Sequence, residues 1–184
     1  MTITGVDSRY LEAISGAGPG SGRLRFLHGG TGSPVVLLHT VRTQAEHFQG
    51  LIPLLLADHS VFALDLPGMG YSDIEPGASY EEPAMRSAVI RLIEQLDLQN
   101  VTLIGESMGA VLALTAAVSV PDRVRRVIAV NAYDYAGESQ DPVLSLGSSC
   151  RASSRPGWAR RSQGSNPGPS CGRSCAEGSS TSPA

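Results

Sequence analysis

The stretch Val101-Thr102-Leu103-Ile104-Gly105-Glu106-Ser107-Met108-Gly109-Ala110-Val111-Leu112-Ala113-Leu114-Thr115-Ala116-Ala117-Val118-Ser119-Val120 decides the fold. Its first four residues, apolar except for Thr102, read as a short buried strand. Residues 108–120 read as a helix, closed by Pro121. Between strand and helix lies the pentapeptide Gly105-Glu106-Ser107-Met108-Gly109, a G-x-S-x-G pattern. A serine at such a junction stands on a sharp, strained turn, so its flanking positions must be small. It also stands at the start of a helix, whose free N–H groups and dipole favour negative charge.

Working outward, the same alternation repeats. Ser8 to Ile14 and Arg23 to Leu27 are strand-like runs, separated by the flexible turn Gly16 to Gly22. A second glycine-rich turn, Gly29 to Pro34, leads into the apolar run Val35-Val36-Leu37-Leu38. Phe48 to Ala57 is expected to be helical. Val61-Phe62-Ala63-Leu64 is another buried strand, ended by Asp65-Leu66-Pro67-Gly68. Over residues 83–96, Met85, Val89, Leu92, Ile93 and Leu96 fall on one face of a 3.6-residue period. Ser79 and Glu82 fit a capping box there, and Pro83 suits a first helical turn. Val124 to Val130 is the last strand. From Val35 onward the order strand, helix, strand, helix, strand, helix, strand predicts an α/β fold. Its sheet should be twisted and mostly parallel, with flanking helices and right-handed crossovers.

Four motifs, in order over residues 20–135, give the chain a resemblance to the α/β-hydrolase fold family. Leu37-Leu38-His39 resembles the strand that runs into the family's His-Gly motif. Asp65-Leu66-Pro67-Gly68-Met69-Gly70-Tyr71-Ser72-Asp73 is similar to its D-x-P-G-x-G-x-S loop. Gly105 to Gly109 resembles its nucleophile elbow, and Pro121-Asp122-Arg123-Val124 its P-x-R-V entry to the next strand. The resemblance covers about the first half of a family domain, so an incomplete hydrolase core is expected. It implies a serine hydrolase, with Ser107 attacking an acyl carbon, usually that of an ester. It also implies an oxyanion hole formed by the backbone amides of Met108 and of Val41 (or Thr40). Donors of this kind contribute about 2.7–4 kcal/mol each to transition-state stabilisation. Serine at the elbow argues against the carboxylate-nucleophile relatives, the haloalkane dehalogenases and epoxide hydrolases. Peptidase, thioesterase and carbon–carbon hydrolase chemistry stay open beside esterase. The small-molecule substrate implied is an apolar ester, and no cofactor is implied.

Two departures from the pattern stand out. The family's His-Gly is His39-Thr40 here. The family's triad histidine follows the nucleophile in sequence, yet His28, His39, His47 and His59 all precede Ser107. Asp134 follows the strand at 124–130; it reads as a loop aspartate at a strand end, and the resemblance also makes it a candidate acid. Without a base, a serine keeps its proton and is a poor nucleophile. The expectation is therefore a truncated, impaired serine hydrolase. The alternative is a non-catalytic scaffold or small-molecule binding module. His39 is expected in the core or orienting loops, and His28-Gly29-Gly30 in a turn. His47 and His59 read as surface or helix-end residues, and Glu106 as lining the pocket entrance. Met69, Tyr71 and Tyr133 fit either pocket wall or core. Arg123, Arg125 and Arg126 read as a solvated strand edge.

Composition narrows the remaining classes. Lysine is absent, so there is no Walker A lysine, no Schiff-base lysine and no S-x-x-K nucleophile. Residues 1–141 hold nine arginines against sixteen acids, whereas 142–184 hold five against one. The acidic body argues against a nucleic-acid partner. No apolar run approaches the roughly 20 residues of a membrane span, and no signal peptide is read. Cys150, Cys171 and Cys175 make no disulfide framework or metal-ligand spacing, so a cytoplasmic protein without a metal is expected. After Leu146 there is no Val, Ile, Leu, Met or Phe. We therefore divide the chain into a hydrolase-like part, 1–141, and a low-complexity tail, 142–184. Such a tail cannot offset its ordering entropy by apolar burial. It also has the composition that a shifted reading frame yields in a GC-rich gene.

Overall fold

The computed structural model describes residues 3–14 and 21–132. They belong to one compact unit. The expectations for Tyr133, Asp134, the three cysteines and the tail lie outside the described residues.

Among the described residues, six strands form one mixed sheet: β1 (Val6–Leu11), β2 (Leu24–Gly29), β3 (Ser33–Leu38), β4 (His59–Leu64), β5 (Val101–Glu106) and β6 (Val124–Val130). Their spatial order is β1-β2-β4-β3-β5-β6. β4, β3, β5 and β6 run parallel, while β2 pairs antiparallel with both β1 and β4. All the strand runs of the sequence are present. Their antiparallel start was not legible, because a glycine-rich connection does not declare the direction of the strand beyond it.

Among the described residues, three α-helices flank the sheet: α1 (Ile52–Leu55), α2 (Glu82–Gln95) and α3 (Met108–Ser119). Val36, Leu38, Leu64 and Leu103 bury against α2 and α3 on one face; Val35, Leu37, Val61 and Ala63 bury against Phe48 and Ile52 on the other. Coverage on both faces explains why these strands are continuous apolar runs rather than alternating ones.

Three local expectations are corrected. Phe48 to Ala57 is not one helix: a 3₁₀ turn, Ala45–Phe48, precedes the single-turn α1. Gly50 interrupts the segment and Leu54 is 77% exposed, so no continuous apolar face binds it to the core. The capping box at α2 does not form. Glu81 is the N-cap, without a side-chain cap bond, and its N–H instead donates to Ser79 Oγ at 3.2 Å. His28 and Gly29 close β2 rather than forming a turn, and the His28 ring stacks on Phe62 at 4.5 Å.

Candidate active site

Register across the parallel strands places Leu64, Leu38, Gly105 and Ala129 side by side at the carboxyl edge. The chain leaves β3 toward the α1 face and leaves β5 into α3 on the other face. The edge between β3 and β5 is thus a topological switch point, where open α/β sheets form their crevices. His39 to Gln44 and Ser107 are the residues brought there.

Ser107 is the N-cap of α3 with φ 53° and ψ −114°, a left-handed conformation for a residue with a Cβ. Strain of this kind costs about 1–3 kcal/mol and persists only where the surroundings hold it. Here they do. Ser107 N–H donates to Val130 O at 2.9 Å, and its carbonyl accepts from Ala110 and Val111 at 3.0 and 3.2 Å. The hydroxyl makes no capping bond. A Cβ on Gly105 would collide with the Gly109 carbonyl, and one on Gly109 with the Leu38 carbonyl. The flanking glycines are therefore required by close backbone approach. The amides of Met108 and Gly109 precede the first bonded turn of α3, leaving the usual free N–H groups of a helix start.

On the β3 side, the turn after His39 is made by Val41 and Arg42. Arg42 takes φ 61°, while Thr40 does not enter the left-handed region. Threonine is accommodated at 40 because the strained position of the turn falls two residues later. Val41 is exposed at the edge. His39 is fully buried. Its Nδ1–H donates to Thr40 O at 2.7 Å, and its Nε2 accepts from Leu66 N–H at 3.1 Å. Burial pushes its pKa below 6.5, against the opposing pull of the Thr40 carbonyl. With both ring nitrogens committed to backbone groups, His39 orients two loops and has no nitrogen left for Ser107.

A buried ionic cluster anchors the neighbouring loops. Arg25 donates to Glu46 through both terminal nitrogens, at 2.6 and 3.0 Å, and to Asp65 at 3.1 Å. Asp65 also accepts from the amides of Ala45 at 2.6 Å and Tyr71 at 2.8 Å. Ser72 Oγ donates to Asp65 O and accepts from Arg25 N–H. The side-chain bond from Arg25 holds the Glu46 carboxyl below its usual range, outweighing burial. Burial pulls the Arg25 pKa down, but the two carboxylates more than reverse this and raise it. Sequence reasoning saw Asp65 and Ser72 only as motif letters and missed Arg25 and Glu46. Their separations of 21 and 40 residues leave no local signal.

The remaining candidates separate. His47 and Glu106 meet, Nε2 to Oε2. His28 bonds the Val61 carbonyl from β2, and His59 opens β4 at the opposite end of the sheet. Met69 packs against the core. Tyr71 is exposed, with the Arg25 guanidinium 5.1 Å from its ring centre. Arg125 and Arg126 are exposed on β6, and Arg123 pairs with Asp97 at 2.8 Å. Among the described residues no group of three His, Cys, Asp or Glu is placed to hold a metal ion. No helix among them is long and apolar enough to cross a membrane.

A mostly parallel sheet with a strained serine at its switch point defines a class. The model of the alpha/beta hydrolase fold matches residues 23–161, and the chain belongs to that family. Among curated proteins it is 36% identical over 100 residues to a probable serine hydrolase of Drosophila melanogaster, covering 53% of this chain and 30% of that one. It is 37% identical over 101 residues to a haloalkane dehalogenase of Psychrobacter cryohalolentis, covering 53% and 33%. Among solved structures, Cfl2 from Burkholderia cenocepacia superposes with a TM-score of 0.64 at 27% identity, covering 76% of this chain and 48% of that one. The chain spans less than half the length of the curated relatives it matches.

Proposed function

We propose that this chain carries the nucleophile half of a serine hydrolase acting on a small apolar ester by acyl-enzyme chemistry. The observation that carries the reading is Ser107 itself: φ 53° at a strand-to-helix turn, between glycines pressed against backbone. Ser107 Oγ attacks the acyl carbon, and the oxyanion is held by the Met108 and Val41 amides. The alcohol departs and water releases the acid. The serine hydrolase relative supports this chemistry. The dehalogenase relative does not extend its own, because a serine stands at the elbow.

The base is the weak link. His28, His39 and His47 are bonded elsewhere, His59 opens β4 at the opposite end of the sheet, and all four precede Ser107 in the sequence. Asp134 is the candidate acid by resemblance alone. Ser107 in this chain is therefore an impaired nucleophile, with the residual catalysis of hole and binding, roughly 10³–10⁴ over water. The same observation favours the second reading, a non-catalytic hydrolase-fold scaffold or binding module. A cytoplasmic location rests on the cysteine pattern.

Fluorophosphonate labelling of the purified chain, beside a Ser107→Ala control and a melting curve, tests this. Slow labelling that disappears in the control is expected. Equal labelling of both proteins refutes Ser107, and a folded chain that never labels establishes the scaffold reading.

A further inference from the structure

The segment after β3 is anchored on both sides of His47. Ala45 N–H is held by Asp65, Glu46 is gripped by Arg25, and Phe48 is buried against the sheet. Between these anchors His47 packs edge-on to Phe48, with ring centres 5.2 Å apart. Its Nε2–H donates to Glu106 Oε2. The two residues are 59 positions apart in sequence, and both side chains are about one-third exposed, at 30% and 35%. Glu106 is the last residue of β5 and directly precedes Ser107. A side chain on a fixed platform thus crosses from the β3 side of the switch point to the elbow.

The physical consequence concerns both arms of the candidate site. Val41 belongs to the segment anchored by Ala45 and Glu46; Met108 follows the elbow. A contact between the two segments fixes their spacing, and catalytic donors must be held within about 0.5 Å to be effective. An unheld Glu106 carboxylate would also place negative charge beside the position where an oxyanion forms, opposing it.

We propose that His47 is a positioning residue of this site: by clasping Glu106 it fixes the gap between the Val41 and Met108 amides and holds the carboxylate in place beside Ser107. The proposal rests on the reading of Ser107 as nucleophile, and its test separates the two. In the full chain, His47→Ala and His47→Gln are compared by the amide ¹H–¹⁵N resonances of Val41 and Met108 and by fluorophosphonate labelling rate. His47→Ala is expected to move both resonances and slow labelling about fivefold to tenfold, in the range found for residues in direct contact. His47→Gln keeps an N–H donor for Glu106 and should restore most of the rate and both resonances. Unmoved resonances in His47→Ala overturn the clasp, as does a glutamine variant no better than alanine. A wild type that does not label while both resonances still move overturns the nucleophile and leaves the clasp standing. Should His47→Ala fail to fold, Glu106→Leu breaks the same contact from the other side and is read in the same way.

Discussion

On the β4 side of β3, the loops at the carboxyl edge are tied down by Arg25, Glu46, Asp65 and Ser72. On the β6 side, Leu114 and Val118 of α3 and Ile128 and Val130 of β6 are between 43% and 54% exposed. Among the described residues the same sheet therefore has a polar, cross-linked flank and an open one where apolar side chains stand exposed beside Arg125 and Arg126. Ser107 sits where they meet: its N–H is bonded to Val130 on the open flank, and its neighbour Glu106 to His47 on the tied one. The contrast suggests that site geometry and bulk burial are supplied by different parts of the molecule. The tied flank positions loops through directional bonds, whereas the open flank offers apolar area of the kind that invites pairing or association.

The largest effect should come from breaking the tied flank. Arg25→Ala leaves Asp65, fully buried, and Glu46, mostly buried, without their cation. Removing one partner from such a cluster costs about 3–5 kcal/mol, because the remaining charges stay desolvated. The expected result is a lower denaturant midpoint with an unchanged slope, read by urea unfolding. A loss below about 1 kcal/mol would mean that water reaches the cluster and that the flanks differ less than their burial suggests.

How much of this was legible in the sequence follows from the range of each interaction. β3 and β4 announced themselves because burial on both faces writes an unbroken apolar run, Val35–Leu38 and Val61–Leu64. The elbow was legible because its constraints are local: Gly105, Ser107 and Gly109 lie within five residues, and the collisions that fix them involve the nearby backbone. α2 was legible from its apolar period and from Pro83 in its first turn, but its cap was not, since Glu81 rather than Ser79 takes the N-cap. The region after β3 was misread as one helix because its anchors are distant. Asp65 fixes Ala45 and Arg25 fixes Glu46, and nothing within the segment reports either. His47, read as a surface or helix-end residue, gained its meaning only when folding brought Glu106 to it.

Acid should sharpen the comparison next, because the tied flank carries His39 and Glu46, both held below their ordinary ionisation range. His39 is held below its usual 6.5, chiefly by burial. As pH falls through 6.5 the unfolded chain takes up that proton first, so stability is complete above this value and declines below it, levelling off under the folded-state pKa. Glu46 is held below its usual 4.5, chiefly by the Arg25 bond. Its contribution is complete above 4.5 and is lost as pH falls through the lowered value. Unfolding free energy should therefore decline in two stages on acidification. His39→Asn should remove the first stage and Glu46→Gln the second. A wild-type stability that stays flat from pH 7 to 5 would contradict the buried, neutral His39.

The smallest effect on stability should come from the open flank. Leu114 and Val118 lie one helical turn apart on α3, at 46% and 54% exposure, so each already meets water in the folded chain. Replacing both by glutamine removes little burial, and surface changes of this kind usually stay within about 0.5 kcal/mol. Colloidal behaviour should respond far more. An apolar patch beside β6, the outermost strand among the described residues, is a template for association, and two amides on it would weaken any such contact. Light scattering across a concentration series, with melting curves on the same samples, reads both quantities. Lower association at unchanged melting temperature is the expected pair of results. A large drop in melting temperature would show instead that these side chains are covered in solution and that the flank is not open.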